Sequence, residues 1–260
     1  MSSLRYFTKR INNISCALAE VAMQNVMITG AGRTYALGYN LVLRYLEGGD
    51  LVVATVRKPN DALSELKERY GGRLIILIMD IGDTESVNRA AAELCGQVDH
   101  LDLIVNNAVT VSPDCDKEFW DVNLDYIAGT VNVTAVGAMR VIKAFYPLLK
   151  ASKGVALIMN ISSEAGSITR CYRTFMLDYG MAKAALNMAT MNLYNTFKND
   201  RKINIFCIHP GWIRTDGDPN NPAPLSSYEA AGILKELFEK RWNDFDGHRF
   251  ITNLGEDYPF

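Results

Sequence analysis

Asn25-Val-Met-Ile-Thr29-Gly30-Ala31-Gly32-Arg33-Thr34-Tyr35-Ala36-Leu37-Gly38 is a short apolar run that opens into a glycine-rich turn. Asn25 to Thr29 has the length and branching of a buried strand. Past Gly38 the residues Leu41, Val42, Tyr45 and Leu46 recur at helical spacing, and Gly48-Gly49 closes that helix. A second strand-like run, Leu51 to Val56, follows at once. Strand, glycine turn, helix and strand make the unit in which backbone N–H groups at a helix N-terminus receive a pyrophosphate. Glycines are common in any strand-to-helix turn, and the context on both sides gives this one its meaning.

The alternation continues outward. A helix over Asp61 to Tyr70 leads to the strand Leu74 to Met79 and Asp80-Ile81. A helix from Thr84 to about Leu94 leads to the strand Leu101 to Val105 and Asn106-Asn107-Ala108-Val109. The spacing predicts one long helix from Tyr126 to Lys150, broken near Pro147, then strands at Val155 to Ile161 and Ile203 to Ile208. Gly217 to Ser227 reads as a surface flap, Tyr228 to Arg241 as a helix, and Phe250 to Thr252 as a last short strand. Strands separated by helix-length segments imply parallel pairing. The expectation is an α/β chain: a single-domain Rossmann fold over residues 24–260, its doubly wound parallel sheet flanked by helices on both faces, with residues 1–23 as an N-terminal extension.

Composition narrows the function classes. A formal net charge of −2 without any dense Lys/Arg block gives no electrostatic case for nucleic acid or an anionic membrane. No apolar run approaches the length of a membrane span. Five scattered cysteines form no Cys-x-x-Cys pair, and three distant histidines lack ligand-like spacing. No metal site is expected, and a reducing, cytoplasmic setting is. Residues 1–22 carry Arg5, Lys9 and Arg10 with no acid before Glu20. They fit a transit peptide, an extra surface helix, or a leader upstream of a natural start at Met23.

A second stretch carries the candidate chemistry. Val155 to Ile161 ends at Ser162-Ser163, and a loop then leads to Tyr179-Gly-Met-Ala-Lys183. Met181, Ala184, Ala185, Met188 and Leu193 recur at helical spacing, which puts Tyr179 and Lys183 one turn apart on one face. An ammonium beside a phenol favours the ionised phenol, so Tyr179 is expected to titrate below its ordinary ~10. Such a group passes a proton to or from an oxygen, with a serine upstream to hold that oxygen. Tyr146 with Lys150 and Tyr194 with Lys198 show the same spacing, so spacing alone decides nothing. Only Tyr179 has a strand-ending Ser-Ser ahead of it and Ile-His-Pro-Gly behind it.

The end of the second strand speaks to the cofactor. An acid there binds the ribose hydroxyls of NAD, whereas an arginine accommodates a 2′-phosphate. The chain reads Ala54-Thr55-Val56-Arg57-Lys58-Pro59, and Arg33 in the glycine turn reaches towards the same place. NADP(H) is the expected cofactor, against the plainer reading of Arg57 and Lys58 as solvated surface charges.

Taken together, Thr29-Gly30 with its turn, Asp80-Ile81, Asn106-Asn107-Ala108, Ser162-Ser163, Tyr179-x-x-x-Lys183 and Pro210-Gly211 through Thr215 stand in the order and approximate spacing of the short-chain dehydrogenase/reductase family. Residues 24–260 resemble its small carbonyl-reductase branch, which includes the C-factor and sniffer proteins. The resemblance implies Tyr179 as acid/base, Lys183 binding the nicotinamide ribose and lowering the Tyr179 pKa, and Ser163 holding the substrate oxygen. It implies a cofactor set of Gly30, Arg33, Leu37, Arg57, Asp80, Ile81, Asn107, Ala108, Tyr179, Lys183, Pro210, Ile213 and Thr215. It further implies a small-molecule carbonyl or alcohol substrate, and a homo-oligomer paired through the helices that begin near Tyr126 and Tyr179.

The chain also departs from the family pattern. Thr34-Tyr35 look inserted, Ala36 stands where the middle glycine belongs, and Val109 replaces a glycine. The 16-residue step from Ser163 to Tyr179 enlarges the intervening loop. The family's fourth catalytic residue is an asparagine that anchors a proton-relay water. Thr134 falls at its position, with Asn132 available only if the helix shifts by two residues. Trp212, Tyr172 and Phe175 suggest an apolar substrate pocket. NADPH-dependent reduction of a small carbonyl compound is the leading expectation. The alternative is a dinucleotide-binding sensor or signalling protein with little turnover.

Overall fold

The computed structural model describes residues 23–218 and 220–260, so the reading of residues 1–22 lies outside the described residues. In chain order the elements are β1 (Asn25–Thr29), α1 (Leu37–Glu47), β2 (Leu51–Val56), α2 (Asp61–Tyr70), β3 (Leu74–Ile78), α3 (Thr84–Cys95), β4 (Leu103–Asn106), α4 (Asp125–Val131), α5 (Gly137–Lys150), β5 (Ala156–Ile161), α6 (Leu177–Phe197), β6 (Ile203–His209), β7 (Ile213–Arg214), β8 (Leu225–Ser226), α7 (Ser227–Arg241) and β9 (Phe250–Thr252). Seven strands form one parallel sheet in the order β3-β2-β1-β4-β5-β6-β9. The fold class is as expected.

Strands covered on both faces read as near-continuous apolar runs, and their alternate side chains feed two separate cores. Val26 and Ile28 of β1, with Leu157 and Met159 of β5, meet α1, α2 and α7 through Leu41, Leu46, Leu63 and Phe238. Met27 and Ile158 point the other way, onto α3 and α5 through Val87, Leu94, Val141 and Phe145. Each helix therefore needs only one apolar stripe to take its place against the sheet.

The strand order reverses direction between β1 and β4, and a set of contacts fixes that junction. Asn107 Nδ2 donates to Thr29 O at 2.9 Å, while the backbone N–H groups of Asn107 and Ala108 both donate to Thr29 Oγ1 at 3.0 Å. Gly30 has φ +74°, and a Cβ there would stand 2.8 Å from Ala108 Cα. At Gly38 a Cβ would stand 2.4 Å from Asn107 Nδ2 and 2.5 Å from Gly30 O. The start of α1 can approach the ends of both strands only without that methyl.

The inserted Thr34-Tyr35 is tied down on two sides. Asn40 Nδ2 donates to Thr34 O and Ala36 O, each at 2.9 Å. Ser227 Oγ lies 2.6 Å from Tyr35 O and 2.8 Å from Arg214 O, which joins the glycine turn to α7 and the segment after β6.

Two local expectations are corrected. Pro147 does not break α5: it lies in the last turn, where its missing N–H removes a single ladder bond. The irregularity is earlier, a π-helical turn over Asn132–Val136 that links α4 to α5. Gly137 N–H reaches back to Asn132 O, to which Arg140 Nη1 also donates at 3.2 Å. The Gly217–Ser227 flap is also more than surface. Leu225–Ser226 pairs with Ile213–Arg214, Ala223 is buried, and Arg214 Nη1 donates to Ala223 O at 2.5 Å.

The junction at Gly38 makes a stability prediction. Gly38→Val should lower the urea unfolding free energy by about 2–3 kcal/mol, as overpacking against backbone does. Gly72→Ala, where an added methyl meets nothing within 4 Å, should stay within about 1 kcal/mol of the parent. Equal effects would show that the turn yields where the packing says it cannot.

Candidate active site

A cleft of about 1370 Å³ crosses the carboxyl ends of the strands at the β1/β4 junction. Parallel sheets gather ligands at such a point because the two loops diverge there. Its lining includes the expected Gly30, Arg33, Leu37, Arg57, Asp80, Ile81, Asn107, Ala108, Ser163, Tyr179, Lys183, Pro210, Ile213 and Thr215. Thr134 does not line it. That residue is buried in the π turn, with a hydroxyl that has no protein partner. Asn132 is committed as well, since its amide donates to Gly82 O at 3.1 Å and accepts from Arg140 Nη2 at 2.7 Å.

One half of the cleft is suited to phosphate groups. The N-cap of α1 is Ala36, extended and without a side-chain cap, and the first turn carries no acid. Its leading N–H groups are therefore left for an anion. Arg33, Arg57 and Lys58 are exposed around the same end. Asn60 fixes this edge: it caps α2 by accepting from Leu63 N–H at 3.1 Å, and its Nδ2 donates to Gly32 O at 2.8 Å. The sequence reading missed Asn60, although Pro59-Asn60-Asp61 carries a helix-start signal. These donors and glycines fit a phosphorylated dinucleotide.

The other half is built by β5 and α6. Ser162 Oγ donates to Asn187 Oδ1 at 2.6 Å, and Asn187 Nδ2 donates to Gly166 O at 3.1 Å, so the serine loop is fastened to the helix. A Cβ on Gly166 would stand 2.8 Å from the Lys183 carbonyl carbon, which shows how closely the two approach. Lys183 is buried, donates to Ile161 O at 2.5 Å, and lies 5.4 Å from the centre of the Tyr179 ring. The other two Tyr-Lys pairs have structural roles. Tyr146 stacks on Phe197, and Tyr194 donates to Phe245 O at 2.9 Å.

Four further groups complete this end, and their joint arrangement was not legible in the chain. Ser163 Oγ donates to Glu164 Oε2 at 2.6 Å, and Arg173 from the enlarged loop pairs with the other carboxylate oxygen. His209 Nδ1 accepts the Glu164 backbone N–H at 3.3 Å and lies 3.6 Å from Glu164 Oε2. Arg173 Nη1 also lies 3.2 Å from Met176 Sδ. Met176, at the N-cap of α6, holds the left-handed conformation with φ +60°, uncommon for a residue with a side chain. Of the three aromatics expected to make an apolar pocket, Trp212 and Tyr172 line the cleft. Phe175 instead faces a smaller neighbouring cavity of about 250 Å³.

The electrostatics correct one expectation. Burial pushes the Tyr179 phenol above its ordinary value, and Glu164 adds to the rise against the opposing Ser163 and Arg173. Burial also opposes ionisation of Glu164, but Ser163, Arg173 and His209 more than offset it and hold the carboxyl below its usual range. Burial lowers His209, with Glu164 partly restoring it. Desolvation pushes Lys183 down to about 7. Without a bound ligand, Lys183 therefore does not bring Tyr179 down.

Comparison with known proteins agrees with this fold. A short chain dehydrogenase family profile matches residues 24–224. An uncharacterized oxidoreductase of Schizosaccharomyces pombe is 33% identical over 194 residues, 72% of this chain and 73% of the relative. The NADPH-bound carbonyl reductase from chicken fatty liver is 26% identical with a TM-score of 0.80, covering 92% of this chain and 94% of that one. The carbonyl reductase Sniffer of D. melanogaster is 25% identical, also at 0.80, over 92% of this chain and 100% of its own. No described helix is long and apolar enough to cross a membrane.

Lys183 gives stability a pH dependence. Its native pKa of about 7 lies below the ordinary 10.5. Below the lower value both folded and unfolded chains hold the proton, and the desolvation cost is borne in full. Between the two values the unfolded chain holds a proton the native one has released, so this contribution raises stability with pH. Lys183→Met in cofactor-free protein should be more stable by about 1–2 kcal/mol below neutrality and should lose that rise. Urea midpoints across the window read both effects, and an unchanged slope would show that Lys183 titrates normally.

Proposed function

Because the chain belongs to the short-chain dehydrogenase/reductase family, and is an oxidoreductase of that kind, we propose that it reduces the carbonyl group of a small molecule with NADPH, Tyr179 donating the proton. One observation carries this reading. Ser163, Tyr179 and Lys183 converge at one end of a cleft whose other end offers an uncapped helix N-terminus and a group of cations.

In this reading Gly30, Leu37 and the leading N–H groups of α1 hold the pyrophosphate. Arg33, Arg57 and Lys58 receive the 2′-phosphate, and no acid ends β2 to favour the unphosphorylated dinucleotide. Asp80 and Ile81 flank the adenine, Asn107 and Ala108 line the middle, and Pro210, Ile213 and Thr215 border the nicotinamide end. A reduced nicotinamide bound there supplies hydride. Tyr179 gives the substrate oxygen a proton, and Ser163, whose hydroxyl donates to Glu164 Oε2 without substrate, turns that donor to the oxygen when the substrate binds. The raised Tyr179 pKa keeps the phenol protonated at neutral pH, as a donor requires. Lys183, which donates to Ile161 O beside the Tyr179 ring, would hold the nicotinamide ribose.

The substrate end is lined by Val109, Tyr172, Met176 and Trp212 together with the Glu164–Arg173 pair. It is apolar with one charged wall, which suits a compact carbonyl compound. Leu124, Tyr126, Met181 and Met188 leave exposed apolar surface around α4 and α6, and this supports a homo-oligomer paired through those helices.

A panel of aldehydes and ketones with NADPH, followed by loss of absorbance at the nicotinamide band, tests the reading. Tyr179→Phe should reduce kcat by roughly 10²-fold or more while NADPH still binds. Binding without turnover on any carbonyl would overturn the reductase in favour of the sensor. Arg57→Asp should raise the Kd for NADPH roughly tenfold or more and leave NADH within about twofold, the loss of one charge-assisted phosphate contact. Equal losses for both would remove the phosphate role.

A further inference from the structure

The half-buried Glu164 carboxylate next to Ser163 has no part in the mechanism above. Ser163 carries one proton and gives it to Glu164 Oε2, and its oxygen accepts the Ala165 N–H at 3.2 Å. The Tyr179 phenol lies beside this pair, and both Ser163 and Glu164 shift its acidity. Beyond the carboxylate is His209, whose Nδ1 already accepts a backbone N–H and whose ring is partly open to the cleft. The position of the family asparagine is occupied differently on the other side. Thr134 lies outside the cleft, and the Asn132 amide is held by Gly82 and Arg140.

We propose that Glu164 and His209 form the proton route between Tyr179 and solvent, with Ser163 as the link. Outward, Tyr179 passes its proton to Ser163 Oγ as Ser163 passes its own to Glu164. Glu164 protonates His209 Nδ1, which lets go of the Glu164 N–H, and the imidazolium gives that Nδ1 proton to water and returns to the form seen here. After Tyr179 has protonated a substrate oxygen, water protonates Nδ1, the imidazolium gives this proton to Glu164, Glu164 gives one to Ser163, and Ser163 gives its own to the phenolate. Only O–H and N–H bonds change, and one proton crosses for each one delivered. Glu164 Oε2 and His209 Nδ1 stand 3.6 Å apart, a gap closed by a small turn of the ring or by one water. Arg173 is the positioning residue. It holds Glu164 by its second oxygen, leaving Oε2 to face Ser163 and His209. The titratable groups facing Glu164 are thus Arg173 from the loop, His209 from the end of β6 and Tyr179 from α6, with Tyr172 beside Arg173.

The inference rests on the carbonyl-reductase reading, and two measurements keep their failures apart. The first needs no turnover. Alkaline titration of the cofactor-free protein at 295 nm, taken as the difference from Tyr179→Phe, reads the Tyr179 phenol. Glu164→Gln should lower its midpoint, and the shift should shrink when Ser163 is also Ala. An unmoved midpoint, or a shift indifferent to Ser163, overturns the coupling whether or not a substrate is known. The second uses the best carbonyl from the panel. Glu164→Gln and His209→Gln should each lower kcat roughly tenfold or more with KM and NADPH Kd nearly unchanged. Formate should restore Glu164→Ala, and imidazole His209→Ala, in proportion to their concentration. Full kcat in either Gln variant, or loss without response to the added acid or base, overturns the route while leaving the reductase intact.

Discussion

The site depends on how firmly one helix is fastened to the end of one strand. Asn160 in β5 accepts from Asn106 of β4 at 2.8 Å and donates to Thr190 of α6 at 2.8 Å, and Thr190 donates back to Leu186 O. One turn closer to the site, Asn187 accepts from Ser162. These groups are fully buried, and leaving one partner unsatisfied costs ~1–3 kcal/mol, so the register of α6 against β5 has little freedom. Ser163 is on the strand side of that joint and Tyr179 and Lys183 on the helix side. Their convergence follows from the joint rather than from any contact among themselves.

The arrangement also explains an odd property of α6. Its buried face holds Asp178, Lys183, Asn187 and Thr190, while Met181 and Met188 face outward. Asp178 is satisfied by Ser112 N–H at 2.7 Å and Thr130 Oγ1 at 2.8 Å, which ties α6 to α4 as well. The helix spends its inward face on polar fastening and chemistry. Its apolar burial is confined to Ala182, Leu186 and Phe197, and Met181 and Met188 stay exposed.

What was legible from sequence follows this division. Strands and helices of the two apolar cores emerged with nearly their observed bounds, because period and glycine punctuation report local geometry directly. The landmarks around Gly30, Asn107 and Ser163 were legible because each sits where a strand ends, and Tyr179 because it opens the helix that follows the serine loop. The apolar stripe on α6 was legible too, but its direction was not, since a periodic pattern does not say which face is covered. The π turn was missed in favour of a kink at Pro147, for an extra residue in a helical ladder leaves no compositional mark. Glu164, Arg173 and His209 were present in the text, yet their meeting depends on the path of a loop and on a strand 45 residues away. The direction of the Tyr179 shift reversed because burial is a property of the folded cleft and spacing carries no measure of it.

Arg173 belongs to the segment that is longest relative to the family pattern, and it grips a carboxylate that touches the serine of the reacting end. A loop that lines the cleft is thereby joined, through Glu164, to the acidity of the Tyr179 phenol. Cleft shape and proton affinity are then one inherited trait: trimming this loop would remove Arg173 from Glu164 and retune the phenol in the same stroke.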